Sequence, residues 1–152
     1  MIKKIITFII CFIPWILTNM LPLDYDYFSK ITTPFFTPPK LFYPIAWTII
    51  YILIAITMTA VFSLYKFRNV PIKYKITLII NYLFNQSFTI LFFGLKNNFL
   101  GFVSCLGTFI TSLFLYEETS LINNKMSKLL EPYILLSLFA TILSISIYLL
   151  NI

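Results

Sequence analysis

Histidine is absent from this sequence, and cysteine and glycine are scarce, with two and three residues respectively. Without histidine, no Ser/His/Asp or Cys/His group can be assembled, which excludes nucleophilic catalysis of those types. Cys11 and Cys105 lie in different apolar segments without metal-ligand spacing, so neither a metal site nor a disulfide framework is expected. The few glycines form no phosphate-binding loop. We therefore expect no catalytic residues and no required cofactor.

Charged residues are also few. They make up 11% of the 152 residues, whereas about 25% is usual in a soluble domain. Long apolar segments separate them, at 5–23, 41–65, 76–95, 97–116 and 129–152. Each segment reaches the roughly 20 residues that a spanning helix needs, and none alternates as a β-barrel strand does. The sequence therefore predicts an all-α integral membrane protein, a bundle of five transmembrane helices forming a single domain over residues 1–152.

The first apolar segment has a second interpretation, because a basic start followed by an apolar stretch is also typical of a signal peptide. Lys3 and Lys4 supply the basic start. However, no small-residue cleavage site occurs around residues 18–22, and Pro14 is tolerated inside a membrane span. We therefore interpret the segment as a retained first helix.

Basic residues are distributed unevenly between the two ends of the predicted bundle. With five spans, the N-terminus and the loops 65–75 and 117–128 share one side. That side holds Lys3, Lys4, Lys66, Arg68, Lys73, Lys75, Lys125 and Lys128, whereas the other side holds Lys30, Lys40 and Lys96. The positive-inside rule then predicts a cytoplasmic N-terminus and an outward-facing loop 24–40. We expect a multi-pass protein of a bacterial plasma membrane, and no nucleic-acid partner, because the bases form no stripe.

No carboxylate or lysine lies near the middle of a predicted span, since Glu131 stands at the start of the last one, which argues against an ion-driven transporter. The clearest polar pattern is NYLFNQSFTILFFG, residues 81–94. Within it, Asn81, Asn85, Phe88 and Phe92 share one face of a helix. The two amides allow two interpretations: they bond across helices, each contributing about 1 kcal/mol, or they line a ligand cavity beside an aromatic wall.

Three blocks of the sequence resemble the translocator protein family, also known as tryptophan-rich sensory proteins or peripheral benzodiazepine receptors. Residues 34–51, PFFTPPKLFYPIAWTIIY, resemble the family's first loop and second helix, K-P-x-W-x-P-P-x-W followed by P-x-x-W-x-x-x-Y. Residues 81–94 resemble its third-helix pattern Q-x-x-x-N-x-x-W-x-x-x-F-F-G. Residues 132–151, PYILLSLFATILSISIYLLN, resemble its fifth-helix P-Y-x-x-W-x-x-F-A-T-x-L-N. The blocks keep the family's order and spacing.

The chain departs from the family pattern mainly in its tryptophans, of which it has Trp15 and Trp47. Positions where relatives usually carry tryptophan hold Phe35, Phe36, Leu41, Phe88, Leu136 and Tyr148. In addition, Asn81 replaces a family glutamine and Ser144 a family asparagine. Phenylalanine and tyrosine preserve ring area, but Leu136 does not. The wall between the third and fifth helices is therefore expected to lack an indole.

The resemblance implies an apolar, outward-opening cavity that binds porphyrins, related tetrapyrroles and synthetic isoquinoline-type ligands. It places on the wall Tyr43, Trp47, Tyr51, Asn85, Phe88, Leu136, Ala140 and Leu143. It also implies a lid formed by Phe35, Phe36, Pro38 and Pro39. We expect Pro39 to launch the second helix, Pro44 to bend it, and Trp15 to lie away from the cavity. The residues alone leave open that Phe35 and Phe36 are membrane-interface aromatics.

Two other functions stay open. Some relatives promote light-dependent porphyrin breakdown, thought to use tryptophans of the second and fifth helices; with Leu136 on the fifth, this activity is expected to be weak or missing. The other is a passive transporter or regulatory scaffold for a different lipophilic ligand. Membrane lipid and a second copy of the chain are expected partners, because relatives form dimers. The small residues Gly101, Cys105 and Thr108 share a face that suits a dimer interface or packing within one chain.

Overall fold

The computed structural model describes residues 2–65 and 67–152. Within that part of the chain, five helices are long and apolar enough to cross a membrane, and no strand is present. Their α-helical portions are α1 (Ile2–Ile16), α2 (Phe42–Leu64), α3 (Ile72–Phe88), α4 (Asn98–Ile122) and α5 (Glu131–Leu150). The predicted all-α membrane architecture is confirmed.

Shorter helical pieces extend or join these helices. The 3₁₀ turn Leu17–Met20 continues α1, and the π-helical segment Thr89–Gly94 continues α3. A helical turn, Asn124–Ser127, and a 3₁₀ turn, Lys128–Leu130, lead into α5. The connecting loops hold the 3₁₀ helices Tyr25–Ser29 and Phe67–Asn69.

The fourth helix is longer than the apolar run 97–116 that predicted it. It begins after Asn97, whose side chain accepts a hydrogen bond of 3.0 Å from the backbone N–H of Leu100. It then continues through Glu117 and Glu118 to Ile122. Glutamate is a good helix former, so a charge ends an apolar run without ending the helix.

The helices pack in two groups, which a shared cluster of buried side chains joins. α4 packs against α3 and α5, while α1 packs against α2. Trp15, Tyr74 and Tyr133 are among the largest fully buried side chains. The outward faces carry exposed aliphatic side chains such as Ile49 and Leu113, which suits a surface that lies in hydrocarbon.

The small residues of α4 face the interior of the bundle, which favours packing within one chain over a dimer interface. A Cβ atom on Gly101 would lie 2.7 Å from Cδ2 of Phe92, and one on Gly107 would lie 2.3 Å from Cδ1 of Phe84. Cys105 is also buried. Glycine therefore allows α4 to approach α3 and its π-helical extension closely. This face is occupied within one chain, and the homodimer stays a prediction without an assigned interface.

The loop 24–40 is tied to two other parts of the chain at one end of the bundle. Asp24 forms an ion pair of 2.9 Å with Lys96, in the turn between α3 and α4. The Tyr27 hydroxyl donates a hydrogen bond of 3.1 Å to the carbonyl oxygen of Lys96. The backbone N–H of Thr32 donates to Oδ1 of Asn151 at 2.9 Å, and Nδ2 of Asn151 donates to the Thr32 carbonyl at 2.8 Å. The loop is therefore anchored over the bundle rather than free in solvent.

These contacts place the loop 24–40 and the C-terminus at the same end, as five spans require. The opposite end carries most of the bases that the sequence assigns to the cytoplasm. Lys66, one of those bases, lies outside the described residues. The chain is a multi-pass membrane protein, and its orientation in the membrane stays a prediction from the positive-inside rule.

Candidate functional site

A cavity of about 510 Å³ lies beneath the loop 24–40, between α2, α3, α4 and α5, with Cys105 and Thr108 as the contribution of α4. One wall is aromatic and consists of Phe28 from the loop, Tyr43 and Trp47 from α2, Phe88 from α3, and Phe92 and Phe93 from its π-helical extension. The opposite wall comes from α5 and consists of Ser137, Ala140, Leu143, Ser144 and Ile147. The volume and the mostly apolar lining with few polar groups are typical of a small-molecule pocket.

The aromatic rings support one another without a ligand. Phe88 and Phe92 stack with ring centroids 5.1 Å apart and 13° between their planes. Phe28 reaches down from the loop to within 5.5 Å of the Tyr43 ring and 6.4 Å of the Phe92 ring. Such contacts hold the rings in preferred geometries. The wall is therefore preorganised for a flat apolar molecule.

Seven of the eight wall residues implied by the family resemblance lie on the cavity wall, namely Tyr43, Trp47, Tyr51, Asn85, Phe88, Ala140 and Leu143. The placement of the eighth, Leu136, is corrected. Leu136 packs against the buried cluster that contains Trp15 and Tyr133. It precedes Ala140 by one turn of α5, but its side chain packs into this cluster and does not line the cavity. Ligand binding by the other seven stays a prediction.

The two phenylalanines of the expected lid point away from the cavity. Phe35 is fully exposed, and Phe36 packs against the partly buried Phe139 at a centroid distance of 6.4 Å; neither phenylalanine lines the cavity. Both occupy the middle of a turn that is closed by the backbone N–H of Thr37 bonding to the Pro34 carbonyl at 3.0 Å. Since neither ring lies on the cavity wall, this pair does not cover the site.

Pro38, Pro39 and Pro44 follow this turn, and their positions differ from the lid and helix roles that the sequence predicted. Pro38 and Pro39 are not on the cavity wall. The helix α2 begins at Phe42, after a turn in which the Phe42 N–H donates to the Pro39 carbonyl at 2.9 Å. Pro44 therefore lies in the first helical turn, where a backbone N–H has no intrahelical acceptor. At this position it interrupts no intrahelical hydrogen bond, and it contributes to the cavity wall.

The cavity is covered by the earlier part of the loop. Tyr25, Asp26 and Phe28, all in the 3₁₀ helix Tyr25–Ser29, line its mouth together with Lys40. Burial raises the pKa of the Tyr25 phenol. The sequence did not predict this cover, because the first block that resembles the family begins at residue 34, after these residues. The available signal was the aromatic-rich stretch DYDYF at residues 24–28.

The floor of the cavity is a hydrogen-bonded network that joins α2, α3, α4 and α5. The Tyr51 hydroxyl donates to Oδ1 of Asn85 at 2.9 Å, and Nδ2 of Asn85 donates to the Tyr133 hydroxyl at 3.4 Å. The Tyr133 hydroxyl donates to Oδ1 of Asn81 at 2.9 Å. Nδ2 of Asn81 then donates to the Thr108 carbonyl at 3.2 Å. Buried amides in hydrocarbon need such partners, and here they find them on three other helices.

Gln86 extends this network to α1. Its Nε2 donates to Oδ1 of Asn85 at 3.0 Å and to the Trp15 carbonyl at 3.3 Å. The Thr18 hydroxyl donates to its Oε1. Sequence reasoning did not single out Gln86. Gln86 is the third amide in the same apolar span, after Asn81 and Asn85. A buried amide needs a hydrogen-bond partner, so this residue could have been predicted to bond to another helix.

The two asparagines that share a face of α3 have different positions. Asn81 is fully buried away from the cavity, so the helix-joining interpretation holds for it. Asn85 joins helices and also lies on the cavity wall. Its Oδ1 accepts two hydrogen bonds and its Nδ2 donates one, so one N–H remains for a ligand.

Among the described residues, no cluster of three or more metal-ligating side chains occurs.

Comparison with known proteins finds relatives that match this chain over most of their own length. The TspO/MBR family model matches residues 5–150. "Tryptophan-rich protein TspO" of Bacillus cereus is 35% identical over 132 residues, which cover 87% of this chain and 85% of that protein. A protein of the same name from Archaeoglobus fulgidus is 34% identical over 129 residues, covering 82% and 80%. "Uncharacterized membrane protein YtaB" of Bacillus subtilis is 32% identical over 132 residues, covering 87% and 84%. The resemblance of the three sequence blocks is thereby confirmed, and the chain belongs to the TspO/MBR family.

Proposed function

We propose that this membrane protein binds a porphyrin, or a related flat tetrapyrrole, in the cavity beneath the loop 24–40. The observation that carries the proposal is the cavity of about 510 Å³, in which an aromatic wall faces a wall of small and aliphatic side chains. Aromatic rings stack on a flat macrocycle, and small side chains opposite leave room for it. The ligand class is also the one that the family resemblance implies.

The polar groups of the site suit the edge of such a ligand rather than its centre. Asn85 has one free N–H at the floor, where it can orient a polar edge. Histidine, a common axial ligand of haem iron, is absent from the chain. The ligand proposed is therefore an iron-free porphyrin, held by stacking and by a few hydrogen bonds.

The test is a titration of protoporphyrin IX into the protein in lipid nanodiscs, followed by tryptophan quenching. Ala140→Trp places an indole in the cavity, whereas Leu135→Trp adds the same indole to the exposed face of the same helix, where Leu135 is 67% exposed. We expect Ala140→Trp to weaken binding more than about tenfold and Leu135→Trp to leave it unchanged. Equal affinity of the two variants would place the ligand outside the cavity.

Porphyrin breakdown is the second candidate function, because Trp47 lies on the cavity wall. The fifth-helix position that carries tryptophan in relatives is Leu136, which packs outside the cavity. We therefore expect the bound porphyrin to lose its visible absorbance under light and air no faster than free porphyrin does. A faster loss that Trp47→Phe abolishes would instead establish the enzyme. A light-stable complex would leave a carrier or regulatory scaffold as the function.

A further inference from the structure

The Tyr43 hydroxyl is buried without a hydrogen-bond partner. Among the described residues, it is the one buried side-chain nitrogen or oxygen in that condition. Tyr43 lies on the cavity wall, and its ring is held edge-on by Phe28 at 5.5 Å and by Phe42 at 5.9 Å. A buried donor left unpaired is unfavourable, so a rigidly held one on a cavity wall points to an acceptor that the ligand supplies.

A second donor, Lys40, lies on the same wall three residues earlier. Its ammonium donates a hydrogen bond to the Ser29 hydroxyl, which positions it at the mouth. An ammonium has three N–H donors, so this bond leaves two for a ligand. The ion pairs among the described residues join Asp24 to Lys30 and Lys96, and none of them involves Lys40.

We propose that Lys40 and Tyr43 form an acceptor-binding subsite at the cavity mouth, which selects flat apolar ligands that carry a carboxylate. The inference rests on the proposed function and adds the ligand's polar group to it. Lys40 contributes the charge and Tyr43 a neutral hydrogen bond; bonds that include an ionised group are the stronger. Asp26, the acid at the same mouth, is exposed, and solvent and salt screen its repulsion.

Three porphyrins separate the two contributions. Protoporphyrin IX carries two carboxylates, its dimethyl ester keeps the acceptor oxygens without charge, and etioporphyrin has neither. Each is titrated into nanodiscs of zwitterionic lipid that hold the wild type, Lys40→Gln or Tyr43→Phe, with lipid-only nanodiscs as background. Affinities are compared between variants for one porphyrin at a time, so that partitioning into lipid cancels.

Lys40→Gln should weaken protoporphyrin IX binding about five- to tenfold, the range of a partly exposed charge-assisted bond, and leave the other two porphyrins unchanged. Tyr43→Phe should weaken both the free acid and the ester about three- to tenfold, as the loss of a neutral hydrogen bond does, and leave etioporphyrin unchanged. Lys128→Gln, at the opposite end of the bundle, and Tyr148→Phe, outside the cavity wall, are the matched controls and should change nothing.

Unchanged etioporphyrin binding also shows that each variant is folded. If wild type, Lys40→Gln and Tyr43→Phe bind each porphyrin equally well, the subsite is overturned while porphyrin binding stands. If the wild type binds none of the three above the lipid background, the proposed function itself fails. A loss of all three porphyrins in Tyr43→Phe alone would make Tyr43 a packing residue and overturn its role as donor.

Discussion

The hydroxyl of Tyr51 on α2 donates a hydrogen bond of 2.9 Å to Oδ1 of Asn85 on α3. Both residues are buried and both lie on the cavity wall. The bond therefore closes the bottom of the cavity and joins two helices at the same point. Since an unpaired buried polar group costs about 1–3 kcal/mol, substitutions at the floor should affect the fold before they affect a ligand.

Asn81→Leu should lower the free energy of unfolding by about 1–3 kcal/mol, because it leaves the Tyr133 hydroxyl without its acceptor. It should leave the porphyrin affinity of the folded protein unchanged, since Asn81 is not on the cavity wall. Thermal unfolding in detergent and titration with protoporphyrin IX measure the two effects. Ile79→Ala, on the exposed face of the same helix, is the control and should change stability by about 0.5 kcal/mol or less.

Asn85→Leu should lower stability by a similar amount, because it breaks the bonds to Tyr51, Tyr133 and Gln86. One N–H of Asn85 is free for the ligand, so the affinity of the folded protein should also fall, by about three- to tenfold. An affinity loss of more than tenfold without a change in melting temperature would show that Asn85 serves the ligand and not the helix contacts.

Both tryptophans should report a bound porphyrin, with Trp47 the stronger reporter. The Trp15 ring lies 5.6 Å from Tyr51, which lies 5.8 Å from Trp47, so Trp15 is one ring behind the wall. Trp15 is off the cavity wall, as expected, but only the Tyr51 ring separates it from Trp47. In titrations, Trp15→Phe should retain strong, saturable quenching, and Trp47→Phe should show weaker quenching with a loss of about 0.5–1.5 kcal/mol in binding. Unquenched emission in Trp47→Phe would mean that the ligand lies elsewhere.

The anchoring of the loop 24–40 should depend on pH. The pKa of Asp24 is lowered from its ordinary value of 3.8, mainly because the carboxylate accepts a hydrogen bond from Lys96. A lowered pKa means that the folded loop prefers the charged carboxylate, so the stabilisation is present above pH 3.8 and is lost as the pH falls through the lower folded-state pKa. Amide exchange of residues 24–31, corrected for intrinsic rates, should accelerate only in that acid range.

Asp24→Asn should show the accelerated exchange already at neutral pH, because it cannot form the ion pairs with Lys30 and Lys96. Asp26→Asn is the matched control, since Asp26 lies in the same loop but outside these two pairs. Wild-type exchange rates in Asp24→Asn would show that the bonds of Tyr27 and Asn151 anchor the loop without the ion pairs.

Gly107→Ala should lower stability by about 1–3 kcal/mol, because the added methyl group would overlap the Phe84 ring. The double variant Gly107→Ala, Phe84→Leu should recover part of this loss by making room. The mass of the protein in mild detergent should be the same in wild type and Gly107→Ala. A destabilisation without any recovery in the double variant, accompanied by a lower mass, would return this face of α4 to the dimer interface.

The spans and part of the cavity wall could be predicted because they depend on local properties of the chain. The apolar run 41–65 differs from the observed helix Phe42–Leu64 by one residue at each end, since the transfer of a segment into hydrocarbon depends on its own length and composition. Trp47 and Tyr51 could be placed on one wall because residues four apart share a helix face, and the family pattern supplied which face. The apolar run 97–116 stops at Glu117, whereas the helix continues to Ile122, because charge limits apolarity and not helicity.

The tertiary structure decided three features: which part of the loop covers the cavity, which hydrogen bonds form its floor, and which helix packs against the glycines of α4. Gly101 predicts a close approach but not its partner, which the packing of α3 against α4 identifies as Phe92. The bond between Tyr51 and Asn85 joins residues 34 positions apart, and the bond between Thr32 and Asn151 joins residues 119 positions apart. Each of these donors has several acceptors of suitable chemistry elsewhere in the chain. The helix packing selects one of them, because a hydrogen bond forms within about 3 Å and only the folded bundle brings the two groups that close.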